Sequence, residues 1–416
     1  MICCLIDKKM DAHSIWTEHL STKYNKPYWY NEQTRQSVWV KPNELVDTVV
    51  STTGTRKRDS NFDDEDDLDN HKRNTYDQDI ETIERILKQE ELDASFDAPT
   101  CPRVISVVNI PQLISSLRTQ KPKIQSTEGS LHPDVDIIFN LDGVDTSLIT
   151  RAFQEDQMLK TRLKLKKNNA VIDLPSFWDV WSSRDSGLPK AINSAKDCHE
   201  AKWANQMKFG YKLATNFMPG YAKALYEYFN AKSVLDPCAG WGDRLVGAAS
   251  ANNPALQKYV AFDPNYSLRV GYVKQMKAFG HDVKVINNEK ILFSNDFTIY
   301  SMPFEKGAAN LESGSFDLVF TSPPFFDYEM YNPANPQYSD WIQQFYTPLM
   351  TESCRCVRDG GHVAIYVGDT SAGDIDNFMR NTVPQILPSL VPMNQVAFRG
   401  MASDKIRGIW VYKKQK

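Results

Sequence analysis

The stretch "SVLDPCAGWGDRLVGAASA", residues 233–251, decides the fold. Its apolar start predicts a short buried strand, and the residues from Trp241 onward predict a helix. Gly240 and Gly242 allow a tight turn and a close approach of a ligand to the backbone, while the first helical turn offers amide donors. This order of strand, glycine turn and helix predicts a ligand site at the carboxyl end of the strand.

The alternation of strand and helix continues to the end of the chain. Strands are predicted for "KYVAFDPN", "HDVKVIN", "SFDLVFT" and "GGHVAIYVGD", and helices for "SLRVGYVKQMKAFG", "YSDWIQQFYTPLMTESCRCV" and "DIDNFMRNTVPQIL". The closing segments "NQVAFRG" and "RGIWVYKK" predict an antiparallel hairpin on the sheet edge. We therefore expect an α/β fold that is Rossmann-like, with a mostly parallel sheet and an antiparallel C-terminal hairpin.

The composition of the chain excludes several classes of protein. With 416 residues and a net charge of −4, the chain carries no uniformly basic coat, so any nucleic-acid surface must be local. Its seven cysteines include no C-x-x-C pair, which predicts no zinc site and a reducing compartment, nuclear or cytoplasmic. The basic clusters Arg56-Lys57-Arg58 and Lys72-Arg73 fit a nuclear import signal, so the nucleus is preferred. No apolar run reaches the roughly 18 residues of a membrane span, so we expect no membrane partner.

Four regions follow from changes in composition. Residues 12–45 are rich in aromatic residues, residues 46–78 are polar and charged and predict a disordered acidic linker, residues 79–204 predict a helical or mixed extension, and residues 205–416 carry the α/β pattern. An amphipathic helix is expected at "DIETIERILKQEELDAS", and "RAFQEDQMLKTRLKLKKNNA" is interpreted as helical. The extension either faces substrate or caps the core, and the first interpretation is preferred.

Two acidic residues accompany the glycine turn. Asp236 ends the first predicted strand, where a carboxylate suits a cationic or amine-bearing ligand better than a pyrophosphate. Leu245 occupies the position of the third glycine of a dinucleotide motif, which disfavours NAD. Asp263 ends the second strand, where an acceptor for a ribose diol is expected.

A second motif, "FDLVFTSPPFFDYEMY" at residues 316–331, ends a predicted strand on two prolines and two phenylalanines. The Ser322 hydroxyl and the Pro323 carbonyl are two acceptors that can orient a planar amine, and proline holds its carbonyl rigidly because its φ angle is fixed. Phe325 offers a face on which a base can stack.

The segments "DPCAGWGDRL", "FDP" and "TSPPFFDYEMY" resemble the S-adenosylmethionine-dependent amino-methyltransferases, which modify the exocyclic nitrogen of adenine or cytosine. The resemblance spans residues 205–415 and implies S-adenosyl-L-methionine as cofactor. It implies that Asp236, Gly240 and Gly242 hold the methionine part and that Asp263 holds the ribose. The implied catalytic residues are Ser322, Pro323, Pro324 and Phe325, and the further implied cofactor contacts are Asn216, Phe217, Phe304 and Glu305.

The segment "IWTEHLSTKYNKPYWYNEQTRQSVWVKP" resembles a WW domain. The resemblance implies three short strands and a slot between Tyr28 and Trp39 that takes a proline-rich protein ligand. Some WW domains read phosphoserine-proline through a serine and an arginine in the first loop. Here Ser21 is present and Thr22 stands in the place of the arginine, so dependence on phosphorylation is left open.

These resemblances predict methyl transfer to an exocyclic amine of a nucleic-acid base. A serine in the first place of the Ser-Pro-Pro-Phe motif fits both adenine N6 and cytosine N4, and DNA is preferred slightly over RNA. An mRNA cap-adenosine N6-methyltransferase, whose family carries Asn-Pro-Pro-Phe, is an alternative. An inactive methyltransferase-fold adaptor is another, and a protein-glutamine or small-amine methyltransferase is disfavoured.

Overall fold

The computed structural model describes residues 16–21, 26–31, 36–38, 109–126, 135–167, 170–174, 176, 216–251, 256–326, 338–368, 374–399 and 406–416. The chain divides into two compact units, Met1–Asp66 and Asp67–Lys416. The acidic linker and the helix expected at "DIETIERILKQEELDAS" lie outside the described residues.

The first unit contains a three-stranded antiparallel sheet. Its strands are β1 (Trp16–Ser21), β2 (Lys26–Asn31) and β3 (Gln36–Val38), with β2 in the middle. Tyr28 pairs with His19 across the β1–β2 ladder, and Ser21 pairs with Lys26 at its end. Trp39 lies outside the described residues, so the WW domain and its ligand slot stay predictions.

The second unit is built on a mixed sheet. Its strands are β4 (Lys123–Ser126), β5 (Val135–Asn140), β6 (Leu163–Lys167), β7 (Ala170–Leu174), β8 (Ser233–Asp236), β9 (Lys258–Phe262), β10 (Val283–Asn287), β11 (Lys290–Phe293), β12 (Phe297–Tyr300), β13 (Phe316–Thr321), β14 (Val357–Ile365), β15 (Leu390–Arg399) and β16 (Ile406–Lys414). Within the described residues, β6 and β7 form a separate hairpin, and the others form one sheet in the order β10-β11-β12-β9-β8-β13-β14-β16-β15-β5-β4.

Helices cover both faces of this sheet. They are α1 (Ile110–Thr119), α2 (Ser147–Lys160), α3 (Pro219–Tyr228), α4 (Asp243–Ser250), α5 (Arg269–Ala278), α6 (Phe304–Gly307), α7 (Tyr338–Trp341), α8 (Thr347–Cys356), α9 (Ile375–Asn377) and α10 (Val383–Ile386), with π-helical turns at Ile342–Tyr346 and Phe378–Thr382 and 3₁₀ turns at Tyr266–Leu268 and Ala308–Asn310. No described helix is long and apolar enough to cross a membrane.

The helices divide the core into layers. Apolar residues of α3, α4 and α5 pack with one face of the sheet, and those of α8 and the π-helical turns pack with the other. On the first side, α1 and α2 form a further layer against Val246 of α4 and Phe279 at the end of α5. The sheet is therefore covered on both faces, as the hydrophobic runs of its central strands require.

The centre of the sheet is parallel. Strands β12, β9, β8, β13 and β14 pair in parallel, whereas the pairs outside this centre are antiparallel apart from β15 with β5. The predicted α/β class with a Rossmann-like parallel centre and an antiparallel C-terminal hairpin is confirmed. From β8 the chain proceeds to β9 on one side and later returns to β13 on the other. The order therefore reverses between β8 and β13, and ligands bind at such a switch point.

The strand predicted at "HDVKVIN" is confirmed as β10, which pairs with β11 among the described strands. The strand next to β9 is β12, which the sequence did not predict. Three residues, Ser294, Asn295 and Asp296, connect β11 to β12, and Asn295 and Asp296 adopt positive φ angles of 64° and 55°. The prediction that the C-terminal hairpin lies at the sheet edge is wrong, because β5 pairs with β15 and β4 pairs with β5.

The region before residue 205 contributes to this same unit. Strands β4 and β5 extend the sheet, and α2 ends at Lys160, where "RAFQEDQMLKTRLKLKKNNA" leaves the helix and enters β6. Leucines at 163 and 165 alternate with lysines, a period of two that favours a strand over a helix. The domain boundary at residues 204 and 205 stays a prediction.

Candidate functional site

The two sequence motifs meet at the switch point. Val234 and Leu235 of β8 pair in parallel with Leu318 and Val319 of β13, so the glycine turn and Ser-Pro-Pro-Phe both begin at the same edge of the sheet. Thr321, the last residue of β13, joins them. Its hydroxyl donates to the Asp236 carboxylate at 2.8 Å and accepts from the backbone N–H of Cys238 at 3.1 Å.

Asp236 is fully buried at the centre of this junction. Besides Thr321, its carboxylate accepts from the Arg244 guanidinium at 2.8 Å, from the Tyr259 hydroxyl at 2.7 Å and from the N–H of Cys238 at 3.2 Å. A buried carboxylate needs such partners because it has lost its solvation. Asp236 thus holds the end of β8 and the glycine turn together, and its predicted contact with cofactor stays a prediction.

Arg244 completes the buried pair. Its guanidinium also donates to the carbonyl of Cys238, and its own carbonyl accepts from the Tyr226 hydroxyl at 3.1 Å. Burial alone would lower the pKa of Arg244, but the Asp236 carboxylate raises that pKa above its ordinary value. The guanidinium stays charged and fixes the turn from inside the fold.

Glycine occupies positions 240 and 242 for different structural reasons. Both adopt positive φ angles, 56° at Gly240 and 91° at Gly242, which a residue with a side chain rarely adopts. A Cβ at Gly242 would overlap the side-chain amide of Gln275, whereas the nearest atom to a Cβ at Gly240 is the Cys238 carbonyl oxygen, 3.9 Å away. Gly242 therefore leaves room for the Gln275 amide, which donates to the Trp241 carbonyl at 2.8 Å, and Gly240 borders open space.

Asp263 lies beside this open space at the end of β9. One carboxylate oxygen accepts from the N–H of Gly240 at 2.8 Å and the other from the N–H of Asn265 at 2.9 Å. Burial raises the pKa of Asp263 to about 6, and the two N–H donors offset part of that rise. At neutral pH the carboxylate is therefore mostly ionised. Asp263 is half-buried, so it borders the surface of the site.

The residues around Gly240 fit S-adenosylmethionine. The volume that a Cβ would fill is open, a carboxylate stands at its side to accept hydroxyl donors, and the strand order places this turn at the switch point. Gly240 and Asp263 are the residues that would hold the cofactor there.

Asn216 and Phe217 precede α3 and lie next to the glycine turn. The Asn216 amide donates to the buried Asp243 carboxylate at 3.2 Å, and its oxygen accepts from Arg151 of α2 at 3.0 Å. The Phe217 ring lies 5.9 Å from the Arg244 guanidinium and packs edge-on against Tyr366 at 5.3 Å. Asn216 thus ties α2 to the start of α4, and Phe217 lies between the two motifs.

Phe304 and Glu305 begin α6, after β12. The Phe304 ring is buried and packs edge-on against Phe262 at 5.3 Å, while Glu305 is exposed. Phe262 in turn stacks on Tyr300 with centroids 4.9 Å apart. Phe304 lies in the core beneath the site, and the predicted cofactor contacts of these two residues stay predictions.

The Ser-Pro-Pro-Phe segment leaves the sheet directly after Thr321. Ser322, Pro324 and Phe325 are half-buried, and Pro323 is buried. The Phe325 ring meets Tyr366 at the end of β14, with centroids 6.0 Å apart and planes nearly perpendicular. The serine and the phenylalanine thus reach the surface of the site while the first proline anchors the segment.

Aromatic side chains line the far side of this segment. Trp341 lies 5.1 Å from Phe326 and 4.4 Å from Tyr346, measured between ring centroids. Tyr338 contacts both Phe326 and Trp341. The sequence left open whether Trp341 contacts substrate or covers the sheet, and it is packed among aromatic rings here. Tyr328 and Tyr331 lie outside the described residues.

Sequence reasoning missed the residues that connect the two motifs. Thr321 and Tyr366 act through contacts between segments far apart in the chain, which periodicity does not reveal. Tyr259 and Arg244 bond Asp236 from 23 and 8 residues away, and their side-chain partners are not evident from the pattern either. A faint signal exists for Arg244, because it lies on the buried side of α4, where an arginine needs a carboxylate partner. Among the described residues, no group of His, Cys, Asp and Glu is placed to hold a metal ion.

Comparison with known proteins gives similarities at the level of solved structures. No family model and no curated protein matches the chain. Similar structures include the tRNA (m1A58) methyltransferase TrmI from Aquifex aeolicus, with 13% identity over 62% of this chain and 91% of that chain and a TM-score of 0.31. A Listeria monocytogenes protein assigned to the class I S-adenosylmethionine-dependent methyltransferases has 16% identity over 51% and 65% and a TM-score of 0.34. The N-methyltransferase NodS from Bradyrhizobium japonicum has 11% identity over 47% and 96% and a TM-score of 0.29. At these TM-scores the similarities establish neither the family nor the activity of this chain.

Proposed function

We propose that this chain transfers a methyl group from S-adenosylmethionine to an exocyclic amine of a nucleic-acid base, adenine N6 or cytosine N4. The observation that carries the proposal is the Thr321 bridge. It joins the glycine turn, where the cofactor would lie, to the Ser-Pro-Pro-Phe segment, where the amine would lie. Two substrates that must react need to be held at adjacent positions, and adjacent parallel strands provide them.

S-adenosylmethionine, when bound, supplies an activated methyl group on a sulfonium. The chain orients the amine. The Ser322 hydroxyl and the Pro323 carbonyl accept hydrogen bonds from the two amino hydrogens, which turns the nitrogen lone pair out of conjugation with the ring. No strong base is required beforehand, since the amine becomes acidic only once the new N–C bond has formed.

A planar base fits the surroundings of Ser322. Phe325 and Tyr366 present half-buried aromatic side chains at the edge of the site, and stacking on such rings holds a base without reading its sequence. A base in a duplex has to be flipped out to reach them. Methylation at cytosine C5 is disfavoured because Phe325 stands where that chemistry needs a cysteine.

Cys238 offers no substitute nucleophile. Burial, with the carboxylates of Asp236 and Asp263, raises the pKa of its thiol far above the ordinary value. A protonated thiol is a poor nucleophile, so Cys238 is not expected to serve the covalent catalysis that methylation at cytosine C5 requires.

DNA is the preferred polymer, and a proline-rich protein bound by the N-terminal unit is the proposed means of recruitment. The test incubates the full chain with isotope-labelled S-adenosylmethionine and, separately, duplex DNA, single-stranded DNA and capped RNA. Mass spectrometry of the digested nucleosides identifies the product. We expect N6-methyladenine or N4-methylcytosine from a DNA substrate.

The catalytic variant is Ser322→Ala, and its matched control is Ser315→Ala, a half-buried serine just before β13. We expect Ser322→Ala to lower the rate about 100-fold, the magnitude typical of removing one orienting group, and Ser315→Ala to leave the rate unchanged. Product on capped RNA alone would favour the cap-adenosine alternative. Cofactor binding without product on any polymer would refute the proposal, and absence of cofactor binding would support the inactive adaptor.

A further inference from the structure

Helix α2 lies against the N-terminal ends of α4 and α5. Its Arg151 donates from Nε to the Asn216 amide oxygen at 3.0 Å, and the Asn216 amide donates to Asp243, the first residue of α4, at 3.2 Å. One turn further along α2, the buried Gln154 donates to the carbonyl of Leu268, directly before α5, at 3.0 Å. Because α4 and α5 begin after the carboxyl ends of β8 and β9, this part of α2 borders the edge of the sheet where the cofactor would lie.

Close packing fixes α2 in this position. A Cβ on Gly271 of α5 would overlap the side-chain amide of Gln154, so the two helices approach each other closely there. Ile149 and Phe153 of α2 lie in one apolar cluster with Val246 of α4. Arg151 therefore extends from a rigid element, and its guanidinium starts from a defined position.

The Arg151 guanidinium has donors left over. An arginine has five N–H donors in one plane, and the donor at Nε is used by Asn216. Within the described part of the chain, the terminal nitrogens Nη1 and Nη2 of Arg151 make no hydrogen bond. The side chain is half-buried, so part of its hydration is already lost. A pair of parallel N–H donors at the end of a guanidinium suits a carboxylate, which accepts both.

The neighbouring charges leave Arg151 only partly compensated. The Asp243 carboxylate is buried, and burial raises its pKa to about 7, while the Asn216 amide and the charges of Arg244 and Arg151 offset part of that rise. About half of the Asp243 side chains are therefore neutral at pH 7. Asp236 is paired with Arg244 inside the fold. An anion that entered beside Asn216 would thus meet a guanidinium with free donors.

S-adenosylmethionine carries one carboxylate, at the far end of its methionine part from the ribose. In the proposed site the ribose lies at Asp263 and the methionine part at the glycine turn, and α4 begins directly after that turn. We propose that Arg151 binds the carboxylate of the cofactor through Nη1 and Nη2, with Asn216 holding the guanidinium in position. This inference rests on the proposed function, because it takes the ligand at the glycine turn to be S-adenosylmethionine.

The test compares two forms of the cofactor by titration calorimetry with the full chain. Decarboxylated S-adenosylmethionine keeps the sulfonium and the amine and lacks only the carboxylate. We expect Arg151→Gln to weaken the binding of S-adenosylmethionine about tenfold to a hundredfold, the loss typical of hydrogen bonds between charged groups. The affinity for the decarboxylated form should not fall, because that form has no group for Arg151 to bind.

Two further variants complete the comparison. Arg151→Lys should restore part of the affinity for S-adenosylmethionine, because lysine keeps the charge but lacks the planar fork and the donor to Asn216. The matched control is Lys160→Gln, which removes an exposed cation from the end of the same helix, about 13 Å further along. The formal charge changes equally, and we expect the affinity for both forms to stay the same.

An equal loss of affinity for both forms in Arg151→Gln would overturn the inference, because it would show that Arg151 only supports the fold of the site. Unchanged affinity for S-adenosylmethionine would overturn it as well. If Arg151→Gln instead weakened only the binding of a fluorescein-labelled single-stranded DNA oligonucleotide, measured by fluorescence anisotropy, the guanidinium would belong to a phosphate contact and the inference would be wrong.

These outcomes are separate from the fate of the proposed function. If the wild-type chain methylates DNA and Arg151→Gln binds both forms of the cofactor normally, the inference fails alone. If Arg151→Gln loses affinity for S-adenosylmethionine only, but no polymer is methylated, the proposed function fails alone. A wild-type chain that binds neither form would overturn both.

Discussion

Replacing Thr321 by valine tests whether the junction of the two motifs depends on one hydroxyl. Valine has nearly the same volume and also favours a strand, so the change leaves the packing of β13 in place. It removes the donor to Asp236 at 2.8 Å and the acceptor of the Cys238 N–H at 3.1 Å. Both groups lie in the fully buried neighbourhood of Asp236, where water does not replace the lost partner.

The magnitude follows from what remains. Asp236 keeps three donors, from Arg244, Tyr259 and the N–H of Cys238, and that N–H keeps Asp236 as its acceptor. Two hydrogen bonds are lost, and the dominant loss is the one to the charged Asp236, about 1.5–3 kcal/mol, with no added cavity. In a unit as large as Asp67–Lys416, this corresponds to a decrease in melting temperature of about 2–5 °C.

The assay is differential scanning calorimetry of the full chain, with S-adenosylmethionine affinity measured by titration calorimetry. Thr298→Val is the matched control, because Thr298 is a buried threonine of β12 outside this network. We expect the control to change the melting temperature less and to leave cofactor affinity unchanged, while Thr321→Val weakens both. A decrease in Thr321→Val no larger than in the control, together with wild-type cofactor affinity, would refute the view that Thr321 holds the glycine turn.

Two further predictions concern the glycine turn and Asp263. In both Gly242→Ala and Gly240→Ala, alanine must adopt a positive φ angle, which costs about 1–2 kcal/mol. Only the Cβ at position 242 also overlaps Gln275, so we expect Gly242→Ala to lower the melting temperature more. Equal melting temperatures of the two variants would contradict this. Gly240→Ala should instead weaken cofactor binding. Since burial raises the pKa of Asp263 to about 6, its contribution to stability is present at low pH and is lost as the pH rises through about 6. Cofactor affinity should run the opposite way, falling below pH 6 as the carboxylate is protonated, and calorimetry with Asp263→Asn should show no such fall.

The glycine turn and the end of β13 were predicted correctly from the sequence, because neighbouring residues determine both. Gly240 and Gly242 adopt the positive φ angles that a glycine turn after a strand implies, and the turn lies at the carboxyl end of β8 as predicted. Strand β13 ends at Thr321, one residue before Pro323 and Pro324, which have no N–H to donate to the sheet. These features depend on neighbouring residues alone, and periodicity or residue type is enough to find them.

What the sequence missed depends on contacts across the sheet. Strand β12 has four residues, and its separation from β11 rests on the Asn295-Asp296 turn inside "ILFSNDFTIY", which reads equally well as one loop. Strand β5 joins the sheet through β15, a pairing between segments more than two hundred residues apart in the chain. No local pattern determines which strand lies beside which, so the edges of the sheet were predicted less well than its centre.

The Thr321 bridge also explains why the strand has to end where it does. Thr321 pairs with Ile365 of β14 and is the last residue of β13, and its hydroxyl bonds Asp236. If β13 were one residue longer, Ser322 would become part of the sheet. If β13 were one residue shorter, the hydroxyl that joins the glycine turn to the proline segment would be lost. The side-chain alternation of a strand allows no intermediate position. A threonine followed at once by Ser-Pro-Pro-Phe therefore fixes the position of the serine relative to the glycine turn, and a single-residue insertion after Thr321 should abolish methyl transfer while leaving cofactor binding intact.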